Sequence, residues 1–148
     1  MNQWIYKDKP LETIPKGFYG FIYELELDDG TKYIGKKSFY ENKTLPALKN
    51  GKQRPNSKRI GKNKNGKRIY YDIVSKESNW KDYYGSSKLV DKNKVVKRTI
   101  LELCETKRYL TYAEVKWQFK LDVLEKDEYL NENILGKFYK GGLKWMSY

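Results

Sequence analysis

Residues 20–37, GFIYELELDDGTKYIGKK, constrain the fold more than any other part of the chain. Two runs of alternating apolar residues flank an Asp-Asp-Gly turn, which is the pattern of a β-hairpin. Successive side chains of a strand point to opposite faces. Phe21, Tyr23, Leu25 and Leu27 therefore share one face of the first strand, and Tyr33, Gly35 and Lys37 share one face of the second. Loop length decides whether these faces coincide. A two-residue Asp29-Gly30 turn sets Glu26 opposite Tyr33, and the tyrosines point to opposite sides. A three-residue Asp28-Asp29-Gly30 loop, with Gly30 left-handed, pairs Leu27 with Thr31. Tyr33 then lies opposite Leu25 and Gly35 opposite Tyr23, so both tyrosines share a face and Gly35 leaves open space above Tyr23. The loop chemistry allows either register, and only the second builds a site.

The remaining composition excludes several classes of chemistry. The 148 residues fit one domain with a modest core, and 39% hydrophobic with 16% aromatic content argues against wholesale disorder. The single cysteine, Cys104, excludes a disulfide framework and a multi-cysteine zinc site. There is no histidine, which removes HNH nucleases, zinc-dependent hydrolases and every Ser-His or Cys-His pair. No apolar run approaches the roughly 20 residues of a membrane span. The first 17 residues lack the apolar core of a secretory signal. The expectation is a soluble protein of a reducing cytoplasm with no membrane partner.

The net charge of +12 is concentrated in one place. Between residues 36 and 69 stand twelve basic residues and one acid, Glu41, which leaves +11. Such a local excess is the footprint of phosphate-backbone binding. Lys37, Lys52, Arg54, Lys58, Arg59, Lys62, Lys64, Lys67 and Arg68 are the candidate nucleic-acid contacts. Lysine, asparagine, glycine and proline dominate here with few apolar anchors, so residues 38–70 read as an exposed, mobile insertion in a single domain spanning 1–148.

Elsewhere, Pro10 and Pro15 leave residues 1–17 irregular. Residues 68–74 read as a short strand or the insertion's return limb. Residues 75–94 suggest two short helices, the second starting near Ser86. Residues 95–104, VVKRTILELC, have the β-branched density of a central strand. Residues 111–126 read as a helix, with Thr111 and Glu114 spaced as a capping box. Residues 129–142 read as a turn, a short helical segment and a glycine stop. The fold class is α/β (α+β): a small three-stranded mixed sheet with an N-terminal hairpin, flanked by helices.

On a helix at 100° per residue, Leu110, Ala113, Trp117, Leu121 and Leu124 form one apolar stripe, and Glu114 lies about 40° from Leu110. A carboxylate at the edge of a buried stripe needs compensation. The capping box supplies it, or a metal facing the hairpin does, and the two are not exclusive. Glu114-Val115-Lys116 also fits the E-x-K half of another nuclease pattern, PD-(D/E)xK, but that pattern needs a strand and an aspartate partner.

Phe21-Ile22-Tyr23, nine intervening residues, then Tyr33-Ile34-Gly35 resemble the paired motif of the GIY-YIG nucleases. The first half departs from it, because Phe21 separates Gly20 from Ile22-Tyr23. Trp80, Tyr83-Tyr84-Gly85-Ser86-Ser87, the strand 95–104, the helix bearing Glu114 and Tyr129-Leu130-Asn131 follow in the family's order. The resemblance covers roughly residues 18–140 and is closest to small stand-alone phage-encoded endonucleases of this superfamily.

The resemblance implies a metal-dependent DNA endonuclease that hydrolyses phosphodiester bonds, in the cytoplasm of a bacterial host if the chain is phage-encoded. It makes Glu114 the single ligand of Mg²⁺ (or Mn²⁺). It makes Tyr23 the base, or the group that orients the water, and Tyr33 the second hydroxyl. Lys36 lowers a tyrosine pKa or joins the proton transfer, and Lys37 competes for that role. Asn131 fixes the site by hydrogen bonding, while Gly30 and Gly35 serve the backbone. The family's helix arginine is missing, since no arginine occurs between Arg68 and Arg98. Lys88 replaces it if a helix starts at Ser86, or Arg59 or Arg68 folds in. Double-strand cleavage by one site per chain requires a homodimer, a higher homo-oligomer or two sequential events. The alternative is a catalytically weak or inactive nuclease-fold module that binds nucleic acid.

Overall fold

In the computed structural model, residues 2–142 are described, apart from the side chains of Lys62, Asn63, Lys64, Lys67 and Arg68. The elements run β1 (Trp4–Tyr6), β2 (Lys9–Pro10), β3 (Gly20–Leu27), β4 (Lys32–Ser38), β5 (Tyr40–Pro46), β6 (Ser57–Lys64), β7 (Lys67–Glu77), β8 (Val95–Cys104), α1 (Lys107–Lys120), β9 (Asn133–Ile134) and β10 (Phe138–Tyr139). They divide into two compact units, residues 1–39 with 79–148, and residues 40–78.

The first unit is built on a five-stranded mixed sheet of order β2-β1-β8-β3-β4, larger than the expected three strands. The extra strands come from residues 1–17. Lys7 and Asp8, both at positive φ, close a two-residue turn between β1 and β2. That turn usually calls for Asn or Gly, so the sequence carries little sign of it. β1 then pairs parallel with β8, and Pro10 sits in the edge strand β2, where its missing N–H costs no ladder bond.

The hairpin β3–β4 adopts the three-residue loop. Tyr23 pairs with Gly35 and Leu25 with Tyr33. Leu27 N donates to Thr31 O at 2.8 Å, and Gly30 has φ +87°. Asp29 Oδ1 accepts from Thr31 N at 2.9 Å, tightening the turn. On its other side β3 pairs with β8 through a bulge between Ile22 and Tyr23.

The sheet buries both faces. Phe21, Tyr23, Leu25 and Leu27 pack with Trp4, Phe39, Trp80 and Ile100. Ile22, Ile34 and Cys104 pack on the other side against Leu110 and Ala113 of α1. The helix begins one turn before the expected start. Thr106 is its N-cap, accepting from Tyr109 N at 3.0 Å, so Thr111 is interior and its hydroxyl donates to Lys107 O. It ends at Lys120 rather than near residue 126, with Asp122 at positive φ. Residues 80–82 form a short 3-10 turn, but no helix starts at Ser86, where the chain makes a turn instead. Residues 133–139 form the small hairpin β9–β10 rather than a helical segment. No helix of the described residues is long and apolar enough to cross a membrane.

The second unit is an antiparallel sheet of order β5-β7-β6, so the basic segment is regular strand where a loop was expected, and it extends to residue 78. No apolar side chain among its described residues is fully buried, whereas Asp72 is. Arg54 Nη1 donates to Asp72 Oδ2 at 3.1 Å and Arg59 Nε to Asp72 Oδ1 at 2.5 Å. These bonds, Arg59 first, hold the Asp72 carboxyl below the usual carboxylate range. Two candidate DNA contacts thus spend their guanidinium groups on the sheet. A sheet anchored by charge rather than apolar volume depends on that charge. Asp72→Ala leaves both arginines without their acceptor, and limited proteolysis within residues 40–78 is expected to speed up on the order of tenfold. An unchanged cleavage rate contradicts this role.

Candidate active site

β4 is an edge strand, and edge strands carry unpaired N–H and C=O groups that must find partners. The outward groups belong to residues 32, 34 and 36, and each is met differently. Lys32 N donates to Glu128 O, and Leu130 N donates to Lys32 O, both at 2.7 Å. Two residues on, the buried Asn131 side chain replaces a strand. Its Oδ1 accepts from Ile34 N at 3.0 Å and its Nδ2 donates to Ile34 O at 2.8 Å. Gln118 Nε2 also donates to Ile34 O, at 3.2 Å. At the third position the Lys36 main chain lies near enough to the Glu114 carboxylate to favour its charged form. Strand pairing, an asparagine amide and a carboxylate thus complete one edge in sequence.

Beside this edge lies a cleft of about 620 Å³ lined by Tyr33, Lys88, Glu114, Gln118 and Asn131, with the tip of the β9–β10 hairpin on its rim. Tyr33, Lys88, Glu114 and Asn131 are all expected site residues, and the fold brings them together from four separate segments. Gln118 was not anticipated, although its i+4 spacing from Glu114 is the signal that identifies it.

Burial raises the Glu114 carboxyl above the ordinary carboxylate range, and the Lys36 charge and main chain oppose that rise. Lys36 Nζ donates to Thr111 Oγ1 at 3.1 Å, on the α1 side of the sheet. Its charge therefore acts on Glu114. Both phenols move the other way from the expected depression. Burial raises Tyr23 well above its ordinary value, with Tyr83 adding to the effect, and burial followed by the Glu114 charge raises Tyr33.

Tyr23 is fully buried behind Tyr33, with ring centroids 6.4 Å apart. Its hydroxyl lies between two glycine backbones. A Cβ on Gly35 would stand 2.4 Å from Tyr23 Oη, and one on Gly85 3.3 Å. Tyr83 hydrogen-bonds Tyr23 through its side chain, and Lys37 Nζ lies 4.2 Å from the Tyr83 ring centre. Tyr83 belongs to a stretch used for order alone, so its link to Tyr23 was not foreseen.

The E-x-K pair diverges in space. Lys116 Nζ donates to Glu102 Oε1 at 3.0 Å, and Glu102 also accepts from Tyr109 Oη and Trp117 Nε1. Glu114 instead faces the cleft. Lys52 and Lys58 are exposed in the second unit, whereas the side chains of Lys62, Lys64, Lys67 and Arg68 lie outside the described residues.

A paired-tyrosine hairpin whose edge is closed by a glutamate-bearing helix and an asparagine is the arrangement the GIY-YIG resemblance implies. The family model described as "Putative endonuclease segE, GIY-YIG domain" matches residues 4–134. The chain belongs to this GIY-YIG endonuclease family. No curated protein and no solved structure matches it.

Proposed function

We propose that this chain is a metal-dependent DNA endonuclease in which Glu114 is the one protein ligand of a divalent cation, Mg²⁺ or Mn²⁺. The observation that carries the reading is the convergence of Tyr33, Lys88, Glu114 and Asn131 on one cleft. Glu114 fits such a cation. It is a half-buried carboxylate facing open space, and no group of three or more ligating side chains occurs among the described residues. Mg²⁺ suits a lone carboxylate, because it keeps several waters, takes phosphate oxygens for the rest and neutralises charge on the phosphate.

The chain's own groups then divide the work. Tyr33, neutral at pH 7, accepts a hydrogen bond from the attacking water and orients it toward phosphorus. Tyr23 and Tyr83 hold Tyr33's surroundings from behind. Lys88 offers a point charge to the phosphate, without the bidentate fork of an arginine. Lys36 opposes the burial that raises the Glu114 carboxyl, and Asn131 holds the strand that carries Tyr33. The unit of residues 40–78 has eleven basic residues against three acids, a charge of +8. Its exposed lysines, Lys52 and Lys58 among them, track the DNA backbone.

A binding module that does not cleave is the second reading. It is favoured by one observation, that the cleft's cation is Lys88 on a turn rather than an arginine on a helix. Plasmid incubation with Mg²⁺ or with EDTA decides between them. Cleavage in Mg²⁺ alone, slowed at least about tenfold by Tyr33→Phe, is the expected result. A gel shift without cleavage in any divalent metal overturns the nuclease reading.

A further inference from the structure

We propose that the trough between β4 and α1 continues past the Glu114 cleft into a basic pocket that binds a flanking phosphate of the same DNA strand, with Lys107 as its main contact. The inference rests on the nuclease reading and extends its site along the substrate. The pocket has a volume of about 220 Å³, and Tyr19, Lys36, Ser38, Lys107 and Thr111 line it. Among the described residues, no acidic one lines it.

Helical spacing joins the pocket to the cleft. Lys107, Thr111, Glu114 and Gln118 are separated by four, three and four residues, so they share one face of α1. The first two line the pocket and the last two line the cleft. Seven residues of helix, from Lys107 to Glu114, span about 10.5 Å. A strand whose scissile phosphate sits at Glu114 therefore carries a neighbouring phosphate within reach of the pocket.

The side chains suit an anion. Lys36 Nζ is fixed at the mouth by Thr111 Oγ1 at 3.1 Å, which uses one of the three donors of an ammonium. Lys107 is exposed, and its ammonium makes no hydrogen bond or ion pair among the described residues. Lys37 also borders the pocket, with its ammonium directed at the Tyr83 ring. Lys107 is therefore the uncommitted charge of the pocket.

The experiment compares wild type, Lys107→Gln and Lys107→Arg on a linear duplex. Binding is measured by anisotropy in EDTA across about 50–200 mM salt, where each neutralised phosphate contributes a slope of about 0.9 in log K against log salt. Lys107→Gln is expected to lose about 0.9 of that slope and Lys107→Arg to keep it. In Mg²⁺, Lys107→Gln should raise KM several-fold with kcat nearly unchanged. An unaltered salt slope in Lys107→Gln overturns the phosphate pocket even if wild type cleaves. A slope lost in Lys107→Gln, with a wild type that never cleaves, leaves the pocket standing and removes the nuclease reading.

Discussion

Glu114→Gln is expected to abolish DNA cleavage, on the order of 10³-fold or more, while leaving the protein at least as stable as wild type at neutral pH. The two halves of this result have one cause. Burial raises the Glu114 carboxyl, so the folded chain holds its proton more tightly than the unfolded chain does. A carboxyl with a raised pKa costs folding free energy as the pH rises past its unfolded value, because the charge must then be carried in a poor environment. The cost is fully present once the pH exceeds the raised folded-state value. Glutamine removes it and keeps an oxygen for the Lys36 main chain. A side chain that destabilises its own fold is accounted for when it serves a ligand. The same sign sets the acid limb of activity. Cation binding needs the carboxylate, so cleavage falls as pH drops through a value above the ordinary carboxylate range. Lys36→Met withdraws the charge that opposes this rise and should move the limb to higher pH at fixed Mg²⁺. Retained cleavage in Glu114→Gln, or a melting temperature well below wild type, contradicts the assignment.

The candidate site was legible wherever a local rule had long-range consequences. The Asp-Asp-Gly loop chooses between two registers, and the observed one puts Tyr23 against Gly35 and aligns the tyrosines. The strand 95–104 and the acid on a helix face were readable from β-branched density and from a 3.6-residue period. Other features depended on tertiary partners. The capping-box spacing points to Thr111, whereas Thr106 caps the helix, which gives α1 an extra turn that packs Leu110 on the sheet. β1 needs β8 as its parallel neighbour, and a strand of three residues has too short a pattern to be seen alone. Residues 38–70 read as a loop because they lack apolar alternation. Their strands are held instead by Asp72 and two arginines far apart in sequence. The tyrosines are raised rather than depressed for a related reason. Adjacency in sequence placed Lys36 beside Tyr33, but alternation along β4 sends its side chain to the α1 face.

Gly35→Ala is expected to lower stability by about 2–3 kcal/mol, the upper part of the range for overpacking, and to lower cleavage with it. Gly35 has no left-handed backbone requirement, so the cost is steric. The new Cβ would meet Tyr23 Oη at 2.4 Å and Cζ at 2.6 Å. Tyr23 cannot swing aside. Trp4, Phe21, Tyr33 and Tyr83 surround it with ring centroids between 5.3 and 6.4 Å away. Removing the hydroxyl alone is insufficient, because Cζ remains in conflict, whereas a shorter side chain relieves it. Gly35→Ala combined with Tyr23→Leu should therefore be more stable than the sum of the two single changes by more than about 1 kcal/mol. Gly30→Ala provides the contrast. It meets no atom within 4 Å, but φ is +87°, so its penalty is one of backbone conformation. Tyr23→Leu should add independently to Gly30→Ala. Urea midpoints with an unchanged m-value measure all five variants. Additivity at Gly35, or equal coupling at Gly30, contradicts a steric role for Gly35 against the tyrosine beneath it.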